Sequence, residues 1–349
     1  MTALAPSAGY TGPYAIINTT LNVVSGDELA WQERKGEAFA FTPRFCGFDA
    51  GQGRATHART VGDARLSAGG YRPTGDYAYP NTADKSKYLT GSGVKIGTAM
   101  ATSGAASSPN MGSGSSTSRA FLMTVPGVRL GWWLGNPRRA DRWRRAGPKW
   151  GLIQLLKEMA ALTDDTSKYV YLSDGGHFEN LAIYELVRRR CRFIVVCDAE
   201  QDGEYKFGGL GNAIRKCRTD LGADIRIDLD EVKPAPGARS KSHCAIGKIV
   251  YARKGKGEPE TGIPLYVKSS LTGDEPADLL QNSLRTPEFP QESTADQWFD
   301  ETQFESYRAL GYHVAGKALE ALRKEQRPEA MSAFADAIWR VAPKTQAAG

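Results

Sequence analysis

The chain has 349 residues, enough for one large α/β domain or two smaller ones. Hydrophobic residues make up 41% of it, which is ample for a core, yet no apolar run approaches the roughly 18 residues of a membrane span. The N-terminus lacks the charged-then-apolar layout of a signal peptide. The formal net charge of +6 is spread widely along the chain, so charge alone selects neither nucleic acid nor an anionic lipid surface as a partner.

The five cysteines are an odd, scattered set without C-x-x-C spacing. Such a set indicates neither a disulfide framework nor a zinc site. The sequence therefore predicts a reduced, cytoplasmic protein, and we expect no cofactor and no metal. Asp198, Glu200 and Asp202 leave a divalent cation open as an alternative, although strand ends often carry solvated acids.

The first part of the chain predicts a β-hairpin followed by a long irregular excursion. Two stretches, 14–22 and 38–42, are rich in the β-branched and aromatic residues of strands. Residues 50–93 show little periodicity, and a connection of this length is a functional excursion or a mobile segment. A helix is predicted at 96–106, and Pro109 prevents it from continuing.

Two features of the next stretch allow alternative interpretations. Ser103, Ser107 and Ser108 are candidates for a nucleophile, but small residues at a close helix contact are the favoured interpretation. Trp132 and Trp133 are followed by arginines. Amphipathic rings beside cations suit a membrane interface, but they also suit the rim of a core, and we favour the core.

The central stretch, 168–200, predicts a strand, a helix and a second strand. The first strand, at 169–174, ends on a carboxylate, and the glycine pair 175–176 then lets the backbone turn tightly or approach a ligand. The apolar period predicts a helix at 178–190, and the strand at 192–197 is continuously apolar at its centre, as buried parallel strands are. We therefore expect the two strands to be parallel neighbours joined by a right-handed crossover.

The residues after the first of these strands form a motif. Asp174, Gly175 and Gly176 are followed by Asn180 and a helical pattern, which resembles the D-G-G-x-x-x-N motif of patatin-like and cytosolic phospholipase A2-like lipid acyl hydrolases. The resemblance covers most of the chain and is strongest at 168–222. It implies that Asp174 is the general base of a Ser-Asp dyad with no histidine between, and that Gly175, Gly176 and Asn180 support the motif.

Downstream, the sequence predicts a helix at 207–221, a strand at 223–229, a hairpin within 244–267 and a C-terminal helical cap at 297–324. The predicted fold class is α/β, with a mostly parallel central sheet, flanking helices, an antiparallel hairpin and the helical cap. The resemblance implies an incomplete patatin- or phospholipase A2-like fold that forms one catalytic-domain portion over the whole chain. We expect a partly flexible tail at 330–349.

The resemblance lacks its nucleophile. A serine hydrolase of the α/β type carries its serine on a G-x-S-x-G elbow, and no such pattern occurs in this chain. The nearest stretches, 65–69 and 90–93, lack a glycine or the spacing. We therefore expect a C-terminal portion of such an enzyme, inactive alone, whose serine comes from an N-terminal segment or a separate chain.

Three functions remain open at this point. The first is a phospholipase that degrades phospholipids or related acyl esters, with peripheral membrane contact as an option and no nucleic acid as a partner. The second is a non-catalytic lipid- or protein-binding module derived from the same fold. The third, a nucleotide-binding domain, is weak because residues 175–180 do not supply the third glycine of G-x-G-x-x-G.

Overall fold

The computed structural model describes residues 1–5, 8–23, 35–49, 59–61, 64–66, 70–78, 93–105, 131–148, 165–253, 255–293 and 298–324. The chain divides into two compact units, Met1–Asn180 and Leu181–Gly349. Within the described ranges, no helix combines the length and the apolar character needed to cross a membrane. The predicted tail at 330–349, most of the 50–93 excursion, and Ser107, Ser108 and Pro109 lie outside these ranges. The single catalytic-domain portion stays a prediction.

The first unit is built on a six-stranded sheet. The strands of this unit are β1 (Ile17–Asn22), β2 (Gly36–Phe41), β3 (Phe45–Phe48), β4 (Arg59–Val61), β5 (Ala64–Leu66), β6 (Gly70–Pro73), β7 (Trp132–Gly135) and β8 (Tyr169–Asp174). The six-stranded sheet has the order β6-β3-β2-β1-β8-β7, and β4 and β5 form a separate pair. All pairings among these described strands are antiparallel. The predicted hairpin of β1 and β2 is confirmed.

Aromatic side chains of β2 and β3 form much of the core of the first unit. Phe39, Phe41 and Phe48 are fully buried, with ring centroids 5.0 Å apart for the first two. Tyr77 stacks on Phe39 at 6.4 Å, and its hydroxyl donates to the Gly135 carbonyl at 2.8 Å. The aromatic residues that indicated strands in the sequence therefore also pack over one face of the sheet. Helix α1 (Ile96–Ser103) has its buried residues, Ala99 and Thr102, on one side.

The prediction of a mostly parallel central sheet is wrong. The prediction that the strands at 169–174 and 192–197 are parallel neighbours is also wrong. Leu172 of β8 pairs with Leu21 of β1 and also with Trp132 of β7, so both edges of β8 are occupied. No edge remains for the strand that follows. That strand, β9 (Phe193–Asp198), instead pairs in parallel with β13 (Thr261–Lys268) in the second unit.

The predicted helix at 178–190 is also shorter than expected. A 3-10 turn, Gly175–His177, follows β8, and helix α2 spans only Ile183–Arg188. Ala182, just before α2, adopts a left-handed backbone conformation with φ of 59°. Because an L-residue in that conformation interrupts a right-handed helix, the apolar period of this stretch extends beyond the helix itself.

The second unit combines a mixed sheet with helices. It contains α2, β9, α3 (Gly208–Leu221), β10 (Asp224–Arg226), β11 (Cys244–Ile246), β12 (Lys248–Val250), β13, α4 (Ala277–Arg285) and α5 (Glu301–Lys324). β11 and β12 pair antiparallel with β13, and β10 pairs with β12. Since β9 and β11 both pair with Leu265 to Val267, they lie on opposite edges of β13.

Helix α5 covers part of this sheet with one apolar stripe. Its buried apolar residues, Leu310, Val314, Ala318 and Leu322, recur every four positions and so lie on one face. Ala318 and Leu322 pack in a cluster with Cys244 and Leu265 of the sheet. The predicted helical cap is therefore confirmed as one continuous helix.

The tryptophan pair belongs to the core, as favoured from the sequence. Trp133 is buried, and its ring centroid lies 5.2 Å from that of Tyr171. Trp132 stacks on Phe41 at 6.2 Å and donates its indole N–H to the Ala146 carbonyl at 2.8 Å. Both rings thus pack against aromatic side chains of the first unit.

Candidate functional site

Asp174 lies at the C-terminal end of β8 and is half-buried. Its Oδ1 accepts a hydrogen bond from the backbone N–H of Gly176 at 2.7 Å, which caps the 3-10 turn. Within the described ranges, no Lys, Arg or His side chain pairs with this carboxylate, and Gly176 is its one hydrogen-bond donor. The carboxylate is therefore oriented by the backbone and keeps a second oxygen available to another donor.

The turn that carries Asp174 is tied to β1 and to the end of α1. The Thr20 hydroxyl donates to the Gly175 carbonyl at 3.2 Å. The backbone N–H of Asp174 donates to the Ala105 carbonyl at 3.3 Å, just beyond α1. In the sheet register, Thr19 lies opposite Asp174. Two segments, β1 and the residues just after α1, therefore position this turn.

The two glycines of the motif avoid steric contacts that a side chain would make, and neither has a positive φ. A Cβ on Gly175 would lie 2.8 Å from the backbone oxygen of Asn18. A Cβ on Gly176 would lie 2.5 Å from Asn180 Oδ1 and 3.1 Å from Asp174 Oδ1. The D-G-G-x-x-x-N spacing thus has a local reason, because the Asn180 side chain occupies the space over Gly176.

A buried polar layer beneath the motif was not predicted. Asn22 Nδ2 donates to Ser173 Oγ at 2.8 Å, and Ser173 Oγ also lies 2.8 Å from His177 Nδ1. Ser173 and Asn22 have no exposed surface. Polar residues near the ends of two strands are the only signal for this layer, and that signal does not identify a partner 151 positions away.

Ser103 lies at the last residue of α1, where its hydroxyl donates to the Asn18 carbonyl at 2.7 Å. This bond fits the close helix contact favoured from the sequence. Asn18 is also the residue whose carbonyl approaches Gly175. Ser103 therefore helps to hold the segment on which the motif rests.

The acidic residues after β9 have structural partners. Asp198 is buried, with Lys268 Nζ 2.9 Å from Oδ1 and the Tyr266 hydroxyl 2.5 Å from Oδ2. Asp202 accepts the backbone N–H groups of Lys206 at 2.9 Å and Phe207 at 2.7 Å, at the start of α3. The protein itself thus supplies the donors that a cation would replace.

No protein-family profile matches the chain, and no curated protein matches it by sequence. One solved structure is similar, the human GIVD cytosolic phospholipase A2, with a TM-score of 0.44 and 14% sequence identity. The similarity covers 94% of this chain and 45% of that one, so the chain spans less than half the length of that protein. Similarity at this level assigns no activity.

Proposed function

We propose that this chain is the C-terminal portion of a lipid acyl hydrolase and that Asp174 is its general base. The observation that carries the proposal is the carboxylate at the end of β8, oriented by the Gly176 N–H and paired with no cation among the described residues. A carboxylate held in this way is prepared to accept a proton from a hydroxyl placed within hydrogen-bond reach. The resemblance of the D-G-G-x-x-x-N motif supports the same role.

In the proposed reaction, a serine hydroxyl attacks the carbonyl carbon of an acyl ester while Asp174 accepts its proton. The tetrahedral intermediate collapses, and the proton passes from Asp174 to the leaving alcohol. Water then attacks the acyl-serine while Asp174 accepts one of its protons. The second tetrahedral intermediate collapses, Asp174 returns that proton to the serine oxygen, and the fatty acid is released. Oδ1 would keep its bond to Gly176 throughout, which leaves Oδ2 for the proton.

The serine and the oxyanion donors would come from outside these 349 residues, because the chain contains no G-x-S-x-G. Phospholipids or related acyl esters are the proposed substrates. We place the assembled protein in the cytoplasm, with peripheral contact to the membrane that holds the substrate.

The test compares Asp174→Asn and Asp174→Ala in an assembled enzyme that includes the coding sequence read upstream of Met1. Asparagine still offers Oδ1 to Gly176, so Asp174→Asn should keep the cap while turnover falls by about 10²–10⁴-fold. Asp174→Ala should lose turnover and also about 1 kcal/mol of stability through the lost cap. Asp228→Asn is the matched control, because Asp228 accepts the N–H of Asp230 two residues on, at 3.0 Å, in the same local geometry.

A non-catalytic lipid- or protein-binding module remains the alternative, and the same experiment separates the two. The 349-residue chain alone should show neither ester hydrolysis nor labelling by a fluorophosphonate, which reacts with activated serines. Full turnover in a folded Asp174→Asn variant would reject Asp174 as the base. Absence of activity in the assembled protein would favour the binding module.

A further inference from the structure

Two histidines and two carboxylates meet in the second unit. His243 precedes β11, Asp274 and Glu275 precede α4, and His313 lies in α5. One ligand atom from each of the four side chains lies within 4.8 Å of all the others. The four residues come from three segments of the chain, so their meeting is a product of the fold.

The distances between these atoms are those of ligands around a single ion. His243 Nε2 lies 3.8 Å from Asp274 Oδ1 and 3.7 Å from Glu275 Oε1, and His313 Nε2 lies 3.0 Å from Asp274 Oδ1. Four ligands in a tetrahedron around zinc at 2.0–2.1 Å are separated by about 3.3 Å. The two longer distances exceed those of hydrogen bonds but suit two ligands on one cation.

The outer atoms of the cluster are also held in the way that metal ligands are held. His243 Nδ1 lies 3.1 Å from Ser270 Oγ, which orients the ring. The Thr272 hydroxyl lies 3.2 Å from His243 Nε2 and donates to Asp274 Oδ1 at 2.6 Å, so a bound cation would displace this hydroxyl or take it as a further ligand. Glu275 Oε1 and Oε2 accept the backbone N–H groups of Thr272 at 2.6 Å and Gly273 at 2.8 Å. Such surrounding hydrogen bonds fix the direction of ligands around protein-bound metals.

Two of the four side chains are buried and two are partly exposed. The side chain of Glu275 is fully buried and that of His243 is 2% exposed, whereas Asp274 and His313 face the edge of the cluster. The two backbone N–H groups and Arg239 Nη1, which lies 4.0 Å from Oε2, compensate the buried Glu275 carboxylate in part, and a bound cation would add to them. The exposed side gives an ion a route of entry.

We propose that His243, Asp274, Glu275 and His313 bind one divalent cation of the zinc type. Two imidazole nitrogens with two carboxylate oxygens suit zinc and its first-row neighbours, whereas calcium prefers oxygen ligands alone. A bound ion would link α5 to the start of β11 and to the loop before α4. The site revises the expectation of no metal, and it is independent of the function proposed for Asp174.

Two neighbouring cations, Arg239 beside Glu275 and Lys317 beside Asp274, oppose metal binding, and Lys317 gives a sharp test. Lys317 Nζ lies 2.6 Å from Asp274 Oδ2, on the outer side of that carboxylate. Its positive charge repels a second cation at Oδ1. Lys317→Gln should therefore bind zinc several-fold more tightly than the unchanged chain, an effect opposite in direction to that of removing a ligand.

The probe is Zn²⁺ alone, added to the full chain after treatment with a chelator and its removal. We expect saturable binding of one equivalent by calorimetry, with a dissociation constant below about 1 µM, and a higher midpoint of thermal unfolding. His313→Ala should weaken binding at least about tenfold. Because His313 lies at the edge of the cluster, this variant is readable even where His243→Ala fails to fold.

Two controls separate this site from adventitious binding. Glu305→Gln removes an exposed carboxylate of α5 that pairs with Arg308, and Cys197→Ser removes an exposed thiol; both should leave the zinc affinity unchanged. Absence of saturable binding up to about 100 µM Zn²⁺ would overturn the proposal. So would undiminished binding in folded His313→Ala, loss of binding in Cys197→Ser, or equal affinity for Ca²⁺.

Discussion

Lys268 and Asp198 form a buried ion pair across two parallel strands, with Nζ 2.9 Å from Oδ1. The two residues are direct partners in the register of β13 and β9. Lys268 also donates to the Glu200 carbonyl at 2.8 Å, and Tyr266 donates to the other oxygen of Asp198. Burial first, and then the bond to Asp198, raise the pKa of Tyr266 above its ordinary value. The pair therefore fixes the parallel register of β9 through fully satisfied polar groups.

Removal of one partner should be far more costly than removal of both. Lys268→Met leaves the Asp198 carboxylate buried without its cation, and we expect a loss of about 3–5 kcal/mol in the free energy of unfolding. The double variant Lys268→Met, Asp198→Asn should be clearly more stable than Lys268→Met alone. Urea denaturation of the unchanged chain, Lys268→Met, Asp198→Asn and the double variant measures this, and strictly additive effects would contradict the coupling.

The two glycines of the motif should differ in their tolerance of a methyl group. In Gly175→Ala the new Cβ meets the backbone oxygen of Asn18, which cannot move without shifting β1. In Gly176→Ala it meets the end of the Asn180 side chain, which can rotate away. We therefore expect a loss of about 2–3 kcal/mol for Gly175→Ala and a smaller loss for Gly176→Ala.

Thermal and urea unfolding of both variants check this order. Adding Asn180→Ala to Gly176→Ala should recover part of the loss, because it removes the atom at 2.5 Å. The same substitution should not improve Gly175→Ala. Equal destabilisation of the two glycine variants would show that space is not the reason for these residues.

The elements that the sequence predicted well are those defined by their own residues. The β1–β2 hairpin, α3 and the C-terminal helix follow from alternation or from a helical period within one stretch. The pairing of β8 could not be read in this way, because it depends on β1 and β7 occupying both edges. An apolar strand after a helix predicts a parallel partner but does not say which strand that partner is.

The same limit applies to the sites. The D-G-G-x-x-x-N spacing is local, and the Asn180 side chain occupies the space that a Cβ on Gly176 would need. The histidine–carboxylate cluster has no short spacing, since its members are spread over 243–313. The Asn22–Ser173 bond likewise joins two strands that are distant in sequence. Polar residues inside apolar strands signal such contacts but identify no partner.

The layer beneath Asp174 should contribute to stability. Ser173→Ala would remove the acceptor that lies 2.8 Å from the buried Asn22 amide, leaving two longer contacts of 3.4 Å to the carbonyls of Thr20 and Tyr171. We expect a loss of about 1 kcal/mol in the free energy of unfolding, the usual net contribution of a buried hydrogen bond. Ser242→Ala, at a half-buried hydroxyl that bonds within its own turn, is the control and should cost less. A loss at Ser173 no larger than at Ser242 would argue against the layer.

Cys46 should make the stability of the first unit depend on alkaline pH. Its thiol is fully buried on β3, 3.1 Å from Thr74 Oγ1, and burial raises its pKa from 9.0 to about 11. The unfolded chain therefore releases this proton from about pH 9, whereas the folded chain retains it until about pH 11. Between those values the unfolded state binds fewer protons, so the free energy of unfolding falls as the pH rises, by up to about 1.4 kcal/mol per unit.

Cys46→Ala should lack this part of the pH dependence of stability. Buried tyrosines such as Tyr77 contribute to the pH dependence of both proteins, so their effect cancels in the comparison. Urea denaturation at pH 8 and at pH 10.5 gives the comparison. Between the two pH values, the free energy of unfolding of the unchanged chain should fall by about 2 kcal/mol more than that of Cys46→Ala. The reason is that the Cys46 thiol loses its proton in the unfolded chain but keeps it in the folded chain. Alkylation provides a second readout, since the exposed Cys197 should react with iodoacetamide in the folded chain at pH 8 long before Cys46 does. Parallel stability curves for the two proteins would show that the folded and unfolded thiols ionise alike.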